Sequence, residues 1–175
     1  AFQVVSIATT TGFLTANYSN WPLFVPILLL LTAFIGACAG STGGGIKVVR
    51  TLVLAKQSAG EITKLIHPNA VISIKLGKKA VSPRVAESVW GFFSIYVIVF
   101  IILFMFLLAQ GNDFITSFSA VGATLNNLGP GLGEVSSNYQ SLSDYSKIGL
   151  CMAMLLGRLE IFTLLVLFTP AFWRK

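Results

Sequence analysis

Charge is what this chain has least of. Of its 175 residues only 10% are Asp, Glu, Lys or Arg, and none of these occurs before Lys47. Soluble domains carry about 25%. A chain that is 55% hydrophobic, with a mean hydropathy of +0.82, reads instead as a membrane protein. Histidine occurs once, at His67 in "LIHPNAV", without a companion for a metal site. Neither a Ser-His-Asp set nor a pair of neighbouring carboxylates is visible, so the common hydrolytic chemistries have no candidate residues. The two cysteines, Cys38 and Cys151, lie in apolar stretches and are too few for a disulfide framework; they are expected as buried free thiols. An initiator Met and a signal-peptide pattern are both missing, and the first residues read like the middle of an element. The chain is therefore expected to be a piece of a longer one.

A nucleotide-binding signature is missing too, although one stretch imitates it. "GACAGSTGGGIKVVR", Gly36 to Arg50, holds five glycines and the first lysine. A phosphate-binding loop reads G-x-x-x-x-G-K-[S/T] between a strand and a helix. Gly40 and Gly45 have the right separation, but Ile46 stands where the lysine belongs and Val48 where the hydroxyl belongs. The preceding "PLFVPILLLLTAFIGACA" is too long for a strand. A nucleotide-driven enzyme is thereby disfavoured, and the glycines need another explanation.

Long apolar runs supply the architecture. Trp21 to Ala39, Ser88 to Asn112 and Ile148 to Trp173 are each long enough to cross a bilayer core, which takes about 20 residues; only the third is interrupted, by Arg158 and Glu160. Pro22 and Pro26 sit near the start of the first run, where a helix tolerates proline. Eight of the twelve Lys and Arg fall between Lys47 and Arg84, opposed by Glu61 alone. The positive-inside rule makes this linker cytoplasmic, and Arg174 and Lys175 mark a second inner-face stop. The outer segment 110–147 carries Asp113, Glu134 and Asp144 against Lys147. This mild acidity either concentrates cations at a mouth or merely keeps a loop soluble. Asn17-Tyr18-Ser19 fits a glycosylation pattern on the same side.

Two shorter pieces repeat one another. Residues 113–147 open with "DFITSFSAVGATLNN", too short and polar to span, and read as a re-entrant helix followed by a glycine-rich turn. A shift of 117 residues lays Thr9-Thr10-Thr11-Gly12-Phe13 on Asn126-Asn127-Leu128-Gly129-Pro130. Each piece is an apolar half-helix and a glycine turn, followed after a polar stretch by an inward-going span. Extended backbone at membrane depth is tolerated where it lines a watery cavity, and a row of carbonyls there can replace the hydration shell of a potassium ion. A surface turn between helices is the plain alternative for "TTTGF".

"TTTGF", "GACAGSTGGGIKVVR", "NNLGPG" and "MLLGRLE" together resemble the Trk/Ktr/HKT superfamily of potassium transporters, essentially end to end. The expected fold class is an all-α polytopic membrane protein of potassium-channel-like helix–pore loop–helix repeats, with re-entrant pore helices and a broken, glycine-rich helix. The resemblance implies four linked repeats in a longer chain. Residues 1–57 are then the pore loop and broken second helix of the third repeat, 58–87 a basic cytoplasmic linker, and 88–175 the complete fourth repeat. It implies a potassium filter at Thr10, Thr11, Gly12, Asn127, Leu128 and Gly129, with the ion on the backbone carbonyls of Thr10, Thr11, Asn127 and Leu128. A gate is implied at Gly40, Ser41, Thr42, Gly43, Gly44, Gly45 and Arg158. Glycine costs about 1 kcal/mol relative to alanine in a helix, which agrees with an unwound segment there. An arginine within a span faces an interior cavity or a partner. Arg158 and Glu160 are two apart and cannot face each other on a helix. Arg158 is therefore either an electrostatic barrier below the filter or a structural contact to a neighbouring helix. The resemblance further implies a bacterial inner-membrane location, surrounding lipid, a homodimer of the full-length chain, and a cytosolic nucleotide-binding regulatory subunit of the TrkA kind. It implies potassium as cargo without an organic cofactor, carried by a channel-like pore or a symporter. The competing reading is a non-conducting membrane scaffold that docks a cytosolic partner through its basic linker.

Overall fold

The computed structural model describes all residues except 23, 37, 39–42, 71–73, 78, 160, 162–165, 167–169, 174 and 175. The chain is mostly helical. In order come α1 (Phe2–Ala8), α2 (Phe24–Ile35), α3 (Val48–Ile66), α4 (Pro83–Ala109), α5 (Phe114–Leu125), α6 (Asp144–Arg158) and a short α7 (Pro170–Trp173). Single 3₁₀ turns lie at Tyr18–Asn20 and Gly133–Val135. The linker between α3 and α4 holds a small antiparallel hairpin, β1 (Lys75–Leu76) against β2 (Lys79–Ala80).

Helix α4 is the one described helix both long and apolar enough to cross a bilayer, with 27 residues and an 18-residue stretch of mean hydropathy 3.0. At 1.5 Å per residue it reaches about 40 Å, more than the ~30 Å of hydrocarbon. It begins at Pro83, earlier than the apolar run suggests, because proline at the first turn is already set for a helix and loses no needed N–H. One face carries Phe92, Tyr96 and Leu107 into the protein. The other shows Ile98, Ile101, Ile102 and Met105, a face that lipid solvates.

The first expected span comes out shorter. Regular helix in the first run stops at Ile35, and Gly36 turns out of it with a φ of 68°. In the third run α6 ends at Arg158, and most residues beyond it lie outside the described set. The thiols differ from expectation as well. Both Cys38 and Cys151 are exposed. An apolar position in a membrane protein can face outward, since lipid accepts it as readily as a core does.

Helix α5 is the centre of the molecule. Asp113 caps its start by accepting from the Ile115 N–H at 3.1 Å. Thr116, Ser117 and every residue from Ser119 to Leu125 are buried. Of the polar ones, Thr124 bonds within the helix, its hydroxyl donating to the Ala120 carbonyl at 2.7 Å. Around α5 stand α2, α4 and α6, and phenylalanine rings join α2 and α4 to α5. Phe100 of α4 meets Phe34 of α2 edge-on at 5.6 Å and Phe118 of α5 at 5.3 Å, and Phe104 meets Phe114 at 5.3 Å. In lipid such packing replaces the hydrophobic effect as the force between helices. Removing the Phe118 ring is expected to cost about 3 kcal/mol. Phe118→Ala should therefore lower the unfolding temperature of the full-length protein in detergent, and Phe118→Leu should lower it less. Equal temperatures for Phe118→Ala and the parent would contradict this packing.

Candidate functional site

The two turns that follow α1 and α5 have one backbone conformation. Thr9 and Asn126, 117 residues apart, both cap their helices at φ −87° and ψ 0°. Thr10 and Asn127 then take φ 55° and 53°, and Gly12 and Gly129 take 80° and 100°. Hydrogen bonds repeat in step. Thr10 N–H donates to Ile7 and Asn127 N–H to Thr124, each at 3.0 Å; Thr11 N–H donates to Ser6 at 2.9 Å and Leu128 N–H to Ala123 at 2.8 Å. The N–H groups thus turn back onto the last free carbonyls of each helix, as a helix C-terminus requires. Positive φ is ordinary for asparagine but strained for the β-branched Thr10.

Because the donors point back, the carbonyls are left over. Among the described residues, those of Thr10, Thr11, Asn127 and Leu128 accept no hydrogen bond. Gly129 differs, since its carbonyl accepts from the Tyr139 hydroxyl at 2.5 Å. The glycines serve differently too. A side chain at Gly12 would meet the Leu128 carbonyl oxygen at 2.0 Å, whereas one at Gly129 would meet nothing within 4 Å. Crowding therefore explains Gly12, and the dihedral alone explains Gly129.

A break lies beside these turns. Past Gly36 the chain returns so that the Ile46 N–H donates to the Phe34 carbonyl at 3.0 Å, and α3 starts after Lys47. Residues 40–42, and with them the expected gate positions Gly40, Ser41 and Thr42, lie outside the described residues, as does Glu160. Gly43, Gly44 and Gly45 are described. Gly44 is the point of closest approach, where an added Cβ would sit 2.0 Å from the Asn126 carbonyl oxygen. Gly157 approaches α5 equally closely, 2.0 Å from the Leu125 carbonyl oxygen by the same measure.

Asn126 joins these parts. Its buried side chain accepts from the Tyr96 hydroxyl of α4 at 2.7 Å, its backbone lies against Gly44, and its Oδ1 lies near Gly45. Neither Tyr96, Asn126 nor Gly157 stands out as a site residue in the sequence. The single tyrosine of an apolar span was the available signal for Tyr96, since a buried tyrosine O–H needs a partner.

Among the described residues, three cavities lie at or near the turns. One of about 470 Å³ is bordered by Thr10, Thr11, Asn127, Gly43, Gly44 and Arg158, so the structure brings both turns, the described part of the break and the arginine to one space. Arg158 closes α6 at its C-terminal end. A second cavity, of about 230 Å³, has Gly43, Gly45, Lys47, Arg50 and Arg158 on its wall. There the Arg50 guanidinium stands 4.2 Å over the Phe92 ring. The third, of about 560 Å³, lies on the other side of the turns, lined by Gly12, Phe13, Gly129, Pro130, Ser136 and Tyr139.

Residues 1–175 match the family described as TrkH, cation transport protein. The chain belongs to the TrkH family. It is 59% identical over 174 residues to the Trk system potassium uptake protein TrkH of Escherichia coli K12, covering 99% of this chain and 36% of that protein. It is 44% identical over the same length to the Trk system potassium uptake protein TrkG of that organism, again covering 99% and 36%. The crystal structure of the potassium transporter TrkH from Vibrio parahaemolyticus superposes with a TM-score of 0.91 at 57% identity, covering 99% of this chain and 37% of that one. The chain thus spans about a third of the length of the relatives it matches. Membership in the TrkH family accords with the superfamily resemblance of the four motifs and with a helical membrane fold.

The Asn126 junction gives a direct test. Tyr96→Phe leaves the ring in place and strips Asn126 of its donor. A buried acceptor without a partner costs about 1–3 kcal/mol. The full-length variant should unfold at lower temperature than the parent; an unchanged unfolding temperature would show that the bond contributes nothing.

Proposed function

We propose that this chain is the pore-forming part of a potassium uptake transporter, contributing two of the four segments of its selectivity filter. The observation that carries this reading is the pair of turns with matching backbones, each presenting carbonyls that no donor takes among the described residues. Neutral carbonyl dipoles suit a weakly hydrated monovalent cation, which exchanges its water shell for them. Both half-helices end at the turns, so the negative ends of α1 and α5 face the same region. In this reading Thr10, Thr11, Asn127 and Leu128 supply the ligating carbonyls. Gly12 lets the two strands approach, and Gly129 supplies a dihedral that other residues resist.

Residues 1–57 serve as the pore loop and broken helix of one repeat, 58–87 as a cytoplasmic linker, and 88–175 as a complete repeat. The Gly40–Gly45 stretch closes the pore below the filter, and Arg158 holds it closed. A fixed positive charge beside the 470 Å³ cavity raises a barrier to cations. The E. coli and Vibrio relatives named as potassium uptake proteins or potassium transporters support this assignment. A bacterial inner-membrane homodimer under a cytosolic nucleotide-binding subunit completes the proposal, with the basic segment 47–87 facing that subunit.

Two experiments test it in the full-length protein. Gly129→Ser forces a side chain onto a φ of 100° and should reduce the preference for potassium over sodium in reconstituted vesicles. Wild-type preference in that variant would remove the filter assignment. For the gate, Arg158→Ala should raise potassium influx per folded dimer with the regulatory subunit absent. Arg158→Lys should fall between, because it keeps the charge and loses the planar fork of donors. A fall in influx for alanine, with unstable protein, would make Arg158 a structural contact.

A further inference from the structure

Beyond Leu128 the fourth-repeat turn changes character. Up to that residue its carbonyls are open; from Gly129 onward side-chain hydroxyls take them. Tyr139 donates to the Gly129 carbonyl at 2.5 Å. Tyr18 donates to the Gly131 carbonyl at 3.0 Å, with the Pro130 carbonyl 3.5 Å away. Ser119 donates to the Leu132 carbonyl at 3.1 Å and accepts from the Leu132 N–H at 2.8 Å. The outward leg is fastened at successive peptides, starting where the open carbonyls stop.

The first fastening has a specific physical effect. Gly129 has a φ of 100°, and nothing stands within 4 Å of where its side chain would be. No side chain packs at that position to hold the dihedral. The next residue is Pro130, so the Gly129–Pro130 peptide has no N–H. The Gly129 carbonyl is the only polar handle on that plane, and the Tyr139 hydroxyl takes it. The second fastening crosses between repeats. Tyr18 belongs to the segment after α1, is 1% exposed, and packs with Ile7, Leu128 and Leu132. Burial raises the Tyr18 hydroxyl to about 12 and raises that of Tyr139 as well, so both keep the proton they donate.

We infer that Tyr139 and Tyr18 are positioning residues that hold the outer leg of the fourth-repeat turn and thereby set how well the pore separates potassium from sodium. This rests on the filter reading above. A sodium ion is smaller and is well ligated only if the carbonyls draw inward. A turn anchored at Gly129 and Gly131 resists that movement, and one without its anchors does not.

The test uses the full-length protein in planar bilayers, with the potassium-to-sodium permeability ratio as readout. That ratio belongs to each open pore and does not depend on how much protein folds. Tyr139→Phe and Tyr18→Phe keep the rings and remove only the hydroxyls. Each should lower the ratio about fivefold, the effect of losing one net hydrogen bond. Tyr145, 71% exposed on α6, is the control, and Tyr145→Phe should leave the ratio unchanged. If Gly129→Ser lowers the ratio while both hydroxyl deletions leave it at the wild-type value, the inference is overturned and the filter reading stands. If Gly129→Ser and both deletions all leave it unchanged, the filter reading falls and this inference falls with it.

Discussion

In hydrocarbon, a peptide group that leaves a helix needs a partner from the protein, from water or from an ion. The two turns after α1 and α5 meet that requirement on one side only. Their N–H groups bond back to the helix ends, at Ile7 and Ser6 in one case and at Thr124 and Ala123 in the other. What remains is acceptors without donors. Most of the surrounding structure follows from this asymmetry. α5 is sheathed by α2, α4 and α6 so that a polar turn can sit at the centre. The small buried residues along α5 let those helices come close.

The same helix end that produces the open carbonyls also anchors the break. Asn126 caps α5, accepts from Tyr96, and lies against Gly44; the preceding carbonyl, of Leu125, lies against Gly157. Turn, broken helix and α6 therefore share one small contact region. Asn126 touches both the break and the turn, with no long chain of intermediates between them. This proximity gives a physical route from a gate to a filter in the proposed function, since packed elements at such close approach shift together.

Much of this is legible in the residues, and the illegible part has a pattern. The 117-residue offset between "ATTTGF" and "TLNNLGP" is visible as spacing, and the structure reproduces it in dihedrals and hydrogen bonds. The run 88–109 is plain because hydropathy alone marks a lipid-facing helix. The early end of α2 at Ile35 is harder to read, because Ala37, Cys38 and Ala39 are as apolar as the helix before them, and only Gly36 marks the exit. The exposed thiols have the same cause, since apolar composition does not say whether a residue faces the core, lipid or, as Cys38 does, a cavity. Tyr96, Tyr18 and Tyr139 are harder still. Each acts by a hydroxyl that finds a carbonyl or amide at least ten residues away in sequence, a relation no local spacing encodes. The crowding at Gly12 comes from the other repeat and is likewise invisible along one strand.

The central claim is that backbone carbonyls of Thr10, Thr11, Asn127 and Leu128 ligate the transported cation. Its most direct test is anomalous scattering from crystals of the full-length protein grown in rubidium, a potassium surrogate. The account predicts a rubidium peak at the level of these four carbonyls, within contact distance of their oxygens and with no side chain as ligand. Rubidium found only elsewhere along the pore, in crystals of protein that conducts rubidium when reconstituted, would contradict it.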